Sequence, residues 1–380
     1  MTKSVVLAGY KRSAFQLAKK GAFAKTRSDD LAAAVVKDLV KTTGVNPDDI
    51  EDMIMGCAFP EGEQGFNVAR LVVNIAELPI SVAGVTVNRF CGSSMQSIHM
   101  AAGAIQMGAG EAFICAGMES MTRVPMSGFN PMPNPGLIES YPQAYMGMGL
   151  TAENLANKYS ISRETQEEFA VKSHEKAAKA AKEGNFKDEI TPYETEENGL
   201  VDTDGTIRPG TDMETLAGLK PAFDDKGSVT AGTSSPLTDG AAAVLVCSEE
   251  YAKANGFDIM ARIKSIAVAG CAAEIMGIGP VPASKKALDR AGVSLSDIDI
   301  IELNEAFAAQ SLAVIEEMGA DINKVNIDGG AIALGHPLGV SGARITAKVA
   351  QIMKREGKGL ALATMCIGGG QGIATVLEAV

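Results

Sequence analysis

Apolar positions recur at helical spacing in LAAAVVKDLVKTT, where Leu31, Val35 and Leu39 are joined by Val36 and Val40. That period predicts an amphipathic helix closed by Gly44. Residues 4–8 read as a strand before it, and DDIEDMIMGCAF leads into a strand after it. EAFICAG, LALATMCIG and AAAVLVCS (241–248) read as further buried strands. The plan then repeats in ASKKALDRAGVSLSDIDIIELNEAF. Setting Gly44 on Gly292 gives an offset of 292 − 44 = 248, at which Asp49 falls on Asp297, Ile50 on Ile298 and Phe59 on Phe307. At the same offset Cys91 falls on Gly339 and Ser93 on Ser341, again a Gly/Ser loop opening a helix. An ungapped register over that distance predicts two similar α/β halves with alternating strands and helices.

A stretch of different character lies between the repeats. Residues 124–136, VPMSGFNPMPNPG, are too rich in Pro, Met and Gly for regular structure. Residues 163–184 are charged and alanine-rich, which predicts a solvated helix, and DTDGTIRPGTD is turn-rich. The expected division is therefore 1–120 plus 238–259 for the first half, 121–237 for an insertion, and 260–380 for the second half.

Composition narrows the function classes. A net charge of −12, from 46 acidic and 34 basic residues, disfavours nucleic acid and anionic membranes as partners, though a local basic pocket could hold an anion. Six cysteines without a CxxC pair or metal-like spacing to the three histidines suggest free thiols in a reducing, cytoplasmic compartment, and no metal site. MTKSVVLAGYKRSAF lacks a signal-peptide core, no apolar run reaches membrane length, and LEAV is not a peroxisomal address.

Candidate chemistry gathers at four places. In VNRFCGSSMQSI, Val82, Val85 and Val87 read as the end of a buried strand, and Met95, Ile98 and Met100 as the start of a helix. Cys91 would sit at the positive end of that helix, which favours a thiolate, and Gly92 would leave room for a substrate. The alternative is a small buried hydrophobe. His336, between Gly335 and Pro337, should project from a loop as a general base, or else be satisfied by a backbone bond. Asn304 and Glu305 follow the apolar strand IDIIEL and could hold a water or orient an imidazole, with an N-cap as the plainer role. Cys366 ends a strand before three glycines whose N–H groups could form an anion nest; there is no GxxxxGK. His99 and His174 lie in helical runs and read as structural, and Cys57, Cys115, Cys247 and Cys271 as core.

Taken together, VNRFCGSS, GMESM (117–121), VTAGTSSPLTDGAAA (229–243), NEAFAAQ (304–310), GGAIALGHPLGVSGAR (329–344) and CIGGGQG (366–372) resemble the thiolase family over essentially the whole chain. The resemblance implies a duplicated α/β fold in five layers, an inserted loop domain that binds coenzyme A, and a homodimer or homotetramer. It implies coenzyme A and acyl-CoA as substrates and no permanently bound cofactor. Carried over, Cys91 is the acylated nucleophile and His336 its base. Backbone N–H groups of Cys91 and Gly368 hold one oxyanion; His336 and a water on Asn304 hold another. Cys366 is the acid/base cysteine, for which a thiol tuned near neutral pH would serve both directions. Phe223, Ser235, Met276, Ala306 and Phe307 line the pantetheine tunnel, Ala231 and Met148 complete the coenzyme A set, and Arg208 lies near the adenine end. In YMGMGLTAEN, Gly147 stands where biosynthetic members carry His, which points to the degradative, fatty-acid-oxidation branch. The alternatives are a biosynthetic acetyl-CoA C-acetyltransferase, a ketoacyl synthase, which NEAF disfavours, and a non-catalytic assembly protein. In some oxidation systems such a chain docks on a hydratase/dehydrogenase subunit.

Overall fold

The repeated sequence register becomes a repeated sheet. The computed structural model describes residues 3–380. Nine strands follow one path: β1 (Val5–Ser13), β2 (Ile50–Gly56), β3 (Ala83–Val87), β4 (Ala112–Ser120), β5 (Thr238–Ser248), β6 (Ala261–Gly270), β7 (Ile300–Leu303), β8 (Leu360–Ile367) and β9 (Gln371–Glu378). Their order is β7-β8-β9-β6-β1-β5-β4-β2-β3. A short antiparallel contact, Val6 opposite Arg262 and Leu7 opposite Ala261, joins the halves at β1 and β6. Outward from that seam both halves run the same way. Two antiparallel pairings are followed by one parallel pairing, β1-β5-β4-β2 on one side and β6-β9-β8-β7 on the other.

The helices that frame the layers and the site are α1 (Ser28–Thr43), α2 (Val68–Ile75), α3 (Ser93–Gln106), α4 (Met148–Lys158), α5 (Arg163–Lys182), α6 (Pro280–Ala291), α7 (Ala308–Met318), α8 (Ala331–Leu334) and α9 (Ser341–Glu356). Gly44 and Gly292 close α1 and α6 in the left-handed conformation, at φ 70° and 69°. At the offset of 248, Ser93 and Ser341 open α3 and α9, and Ala112 and Leu360 open β4 and β8. Three large apolar cores join five layers, the central one filling both sides of α3 and α9. α1 and α2 cover one half-sheet with Leu31, Val35, Leu39 and Val72. α3 and α9 lie between the half-sheets, burying Met95, Ile98, Ile345, Val349 and Ile352. Residues of α6 and α7, among them Ala283, Ala287 and Val314, cover the other half-sheet. Strand β4 shows why its sequence reads as one apolar run. Ile114 and Ala116 enter the outer core, while Phe113 and Cys115 enter the central one.

Several local expectations change. β3 is an edge strand, so Val85 and Val87 are only half-buried, and Val82 alone of the three is fully enclosed. Met100 faces outward from α3. α5 is solvated on one side only; Phe169, Ala170, Ser173, His174 and Ala177 form a buried stripe. Cys57 and Cys271 lie just beyond strand ends, and Cys271 is partly exposed. Residues 124–134 are irregular as expected, but Pro135–Ser140 forms a short helix capped by Asn134. No helix among the described residues is long and apolar enough to cross a membrane. One break in the repeat positions the site: at the offset of 248, Ala83 of β3 falls on Ala331, so the second half has the short helix α8 where the first has an edge strand. That helix ends at Gly335, whose φ of 95° turns the chain into His336.

Candidate active site

The turn before α3 aims Cys91. Phe90 adopts a left-handed φ of 43°, a conformation a bulky residue takes only under constraint. The constraints are local bonds. Asn88 Oδ1 accepts from Phe90 N at 2.8 Å, and Ser93 Oγ donates to Phe90 O at 2.6 Å while accepting from Arg89 N at 2.9 Å. Gly92 also meets a packing demand, because a Cβ there would lie 2.7 Å from Ile367 Cδ1 and 3.1 Å from Ile373 Cγ2.

Cys91 is 8% exposed, and the backbone N–H groups of Gly368 and of Cys91 itself are directed at its sulfur. Those donors favour a thiolate, but burial outweighs them and pushes the thiol up to about 12. The resting group is therefore a thiol and not the expected thiolate. Cys366, at the end of β8, lies close enough for the charge of Cys91 to act on it. Burial, with Cys91, raises it well above the ordinary thiol value, so it is not tuned near neutral in the unliganded protein.

His336 is held at three points. Its N–H donates to Thr238 Oγ1 at 3.1 Å. Its Nδ1 is 2.6 Å from Ser341 Oγ, and its Nε2 is 3.3 Å from Asn304 Nδ2. Ser341 directs its own proton to Pro337 O at 3.1 Å, so it accepts from Nδ1–H. Nε2 then carries the lone pair, the arrangement a proton acceptor needs. Burial, with the charge of Arg344, lowers the imidazole to about 3 and keeps it neutral. The side chain is not the backbone-satisfied loop histidine of the plainer reading.

Asn304 extends the β7–β8 ladder by donating its N–H to Thr364 O at 3.1 Å. Its Oδ1 is buried with no partner among the described residues and can accept a further hydrogen bond. Glu305 neither orients the imidazole nor caps α7, whose N-cap is Phe307. It clamps α5 to the α8 segment, accepting from Ser173 Oγ at 2.6 Å, Asn326 Nδ2 at 2.8 Å and Ile332 N at 3.2 Å.

Glu119 in GMESM was given no role by the sequence. It is 1% exposed and accepts from both Ala58 N and Gly339 N at 2.8 Å, tying the histidine loop to the first half. Ser94 crosses the same seam, donating to Val340 O at 2.9 Å and accepting from Ala343 N at 2.8 Å. Ser341, five residues past His336 in a motif otherwise read for its glycines, was also overlooked as a contact.

Most of the expected coenzyme A set forms one apolar wall. Met276, Ala306, Phe307 and Cys366 share a core to which Met148 adds its side chain. Phe223 stacks edge-on against Phe307 at 5.7 Å and is 43% exposed. Ser235 joins the wall through Ala306 O, to which its N and Oγ both donate at 3.0 Å. Ala231 lies exposed on a short 3-10 turn just before it. Arg208 stands apart: it is exposed, its backbone N–H donates to His174 Nδ1 at 3.2 Å, and its guanidinium has no ion pair among the described residues. Gly147 precedes α4 at φ −61°, which any residue adopts, so it supplies open space rather than backbone freedom.

The chain is similar to known proteins along its whole length. The thiolase N-terminal domain profile matches residues 5–250, and the thiolase C-terminal domain profile matches residues 257–379. The chain is 52% identical to a 3-ketoacyl-CoA thiolase of Aliivibrio fischeri, covering 99% of each sequence. Human mitochondrial 3-ketoacyl-CoA thiolase superposes with a TM-score of 0.92 at 38% identity, over 100% of this chain and 99% of that one. The acetyl-CoA acetyltransferase of Bacillus anthracis superposes at 0.91 with 39% identity, over 100% and 99%. Matched in both halves and end to end, this chain belongs to the thiolase family.

Proposed function

We propose that this protein cleaves 3-ketoacyl-CoA with coenzyme A, giving acetyl-CoA and an acyl-CoA shortened by two carbons. One observation carries the reading: a buried thiol facing two backbone N–H donors, beside a second thiol, in a site whose imidazole is held neutral with its Nε2 lone pair toward Asn304 Nδ2. In this reading Cys91 attacks the keto carbon and its proton passes to His336 Nε2. The N–H groups of Cys91 and Gly368 receive the oxyanion. The C–C bond breaks, and Cys366 gives its proton to the departing enolate carbon. Coenzyme A then gives its thiol proton to the Cys366 thiolate and attacks the Cys91 thioester. Cys91 leaves as thiolate and takes back the proton from His336. Asn304, with its unpartnered Oδ1, orients a water toward the thioester oxygen of the second substrate.

The apolar wall of Met148, Phe223, Ser235, Met276, Ala306 and Phe307 takes the pantetheine arm, Ala231 lies at its edge, and Arg208 is the cation available to a phosphate. The halves are 1–120 plus 238–259 and 260–380, with 121–237 as the coenzyme A loop domain. A second copy pairs along β3, and the free thiols suit a reducing compartment such as the cytoplasm. The names of the similar thiolases support the degradative direction, as does the open space at Gly147, where a Cβ would meet nothing within 4 Å. Each added CH₂ of an acyl tail buried there contributes up to about 0.8 kcal/mol. Thiolysis kcat/KM should therefore hold or rise from a four-carbon to an eight-carbon 3-ketoacyl-CoA at fixed coenzyme A. A steep fall beyond four carbons would instead favour the acetoacetyl-CoA-forming reaction named for the Bacillus anthracis neighbour.

A further inference from the structure

The two N–H groups that face the sulfur of Cys91 come from opposite halves of the molecule. That of Cys91 belongs to the turn before α3, and that of Gly368 to the turn between β8 and β9. Neither turn is rigid by its own sequence. Phe90 holds a left-handed φ of 43°, and Gly368, Gly369 and Gly370 follow one another, the last two at φ 79° and 86°. Glycine has the widest backbone freedom, so such a turn keeps one shape only where its surroundings impose it. Two constraints come from the second half itself. Ile367 and Gln371 pair across the base of the turn, and Cys271 N donates to Gly370 O at 2.8 Å. Neither fixes the turn relative to Cys91. A third does: Arg89 Nη1 donates to Gln371 Oε1 at 2.8 Å, while Arg89 Nε donates to Gln96 Oε1 of α3 at 2.9 Å. Among the described residues, the bond to Gln371 is the one hydrogen bond between side chains of residues 88–92 and 367–371.

We propose that Arg89 and Gln371 are positioning residues for the reaction: together they hold the N–H groups of Cys91 and Gly368 at the spacing that receives one oxyanion. The assignment rests on the reading of those two groups as the oxyanion donors. Arg89 stands two residues before Cys91 and belongs to its turn, because its N–H donates to the same Ser93 hydroxyl that donates to Phe90 O. Gln371 stands three residues after Gly368. Its backbone is fixed by pairing with Gly270 of β6 and by Gly279, packed so closely against Gln371 O that a Cβ would overlap it. The guanidinium is a planar fork with donors in fixed directions, so binding Gln96 through Nε sets the direction in which Nη1 meets Gln371. The arginine side chain is then a strut between α3 and the glycine turn. The packing beside it is apolar: Gly92 lies against Ile367, and a Cβ at Gly368 would lie 3.6 Å from Phe90 Cδ2. Apolar contact is non-directional and leaves the two turns free to slide; the fork does not. Sliding matters because donors act fully only at about 2.7–3.1 Å from the oxyanion, and a misplacement of about 1 Å can cost about 10²-fold in rate.

Two reactions of Cys91 in the full-length protein separate this role from a merely structural one. Acetylation by saturating acetyl-CoA passes through an oxyanion, whereas alkylation by iodoacetamide needs the same thiolate and forms none. The ratio of the two rates, read by mass spectrometry of the Cys91 peptide, reports the oxyanion donors apart from folding and thiol ionisation. Arg89→Met and Gln371→Leu should each lower that ratio by about tenfold, less than the roughly 10²–10³-fold cost of removing a donor outright. The KM for acetyl-CoA should stay within about twofold of the wild type, as for an interaction that matters only in the transition state. Gln371→Glu, whose carboxylate also accepts from Arg89, should keep the ratio within about threefold of the wild type. In an Arg89→Met background, Gln371→Leu should have no further effect, because the two residues act through one bond. If Arg89→Met does not fold, Gln371→Leu and Gln371→Glu are compared without it. A wild-type ratio in Gln371→Leu would overturn the proposal, as would a ratio in Gln371→Glu as low as that of Gln371→Leu, or effects of Arg89→Met and Gln371→Leu that multiply. Wild-type Cys91 that is alkylated but takes no acetyl group would overturn the proposed function instead, a separate outcome.

Discussion

The state of each group proposed for the chemistry is set by burial more than by its place on a helix or strand. The position of Cys91 before α3 was legible from its Gly-Ser-Ser sequence, and the dipole argument predicts a thiolate. Enclosure reverses that balance, pushing the thiol up to about 12 and His336 down to about 3. Both partners therefore rest neutral, and the tautomer of the imidazole becomes decisive. Ser341 fixes it through the 2.6 Å bond to Nδ1. Ser341→Ala should let the proton move to Nε2 and slow Cys91 acetylation by about tenfold or more, within the range a general base contributes. Ser341→Thr, which keeps the hydroxyl, should recover most of the rate. An Ser341→Ala variant acetylated at the wild-type rate would show that the tautomer is set elsewhere. Periodicity marks Ser341 only as the opening residue of a helix; its bond to a histidine depends on how the GHPLG turn folds back.

At the scale of elements, the strands, helices and their duplication were readable because apolar period and αL glycines are local signals. What each element touches was not. α5 reads as solvated from its charges, yet its Phe169, Ser173 and Ala177 face is buried, with Phe169 against Ala308 and Ile332, Ser173 on Glu305 and Ala177 in the first half's outer core. β3 reads as buried from its valines but lies at the sheet edge. That edge, Ala83–Val87, has no further strand beside it among the described residues, and Phe66 (94% exposed) and Ile80 (89%) flank it. Such an edge is an aggregation hazard unless another chain covers it. A homodimer formed edge to edge along β3 should appear as a mass of at least two chains in light scattering. Ile80→Asp combined with Phe66→Asp should shift the mass toward one chain. A wild-type protein that is monomeric at micromolar concentration would refute this use of β3.

Across the whole molecule, the interior holds neutral histidines and raised carboxyls in opposition. Burial, with Arg89, Arg208 and Arg344 respectively, lowers His99 to about 3, His174 to about 4 and His336 to about 3. Each folded value lies below the unfolded value of about 6.5, so in that interval the unfolded chain binds more protons. The contribution of each histidine is thus complete above about pH 6.5 and is lost as pH falls, by up to about 1.4 kcal/mol per unit. Buried Glu302, Glu119 and Glu305 are raised and act in the reverse sense, so the informative quantity is a difference. His99 bonds Thr375 Oγ1 at 2.8 Å, a contact that Gln can imitate. The stability of the wild type minus that of His99→Gln, from urea unfolding, should fall steadily from pH 7 to pH 5. A constant difference would mean that His99 is already protonated in the fold, or exposed.

The account stands on Cys91 as the residue that carries the acyl group, and peptide mass spectrometry after brief exposure to acetyl-CoA reads this directly. The account predicts one acetyl group on the peptide containing Cys91. It predicts none after Cys91→Ser, which should fold normally and lose thiolysis by at least about 10³-fold. It also predicts that Cys366→Ala is acetylated at Cys91 but fails to exchange deuterium at the α-carbon of acetyl-CoA. An acetyl group on Cys366 with Cys91 left free would contradict it.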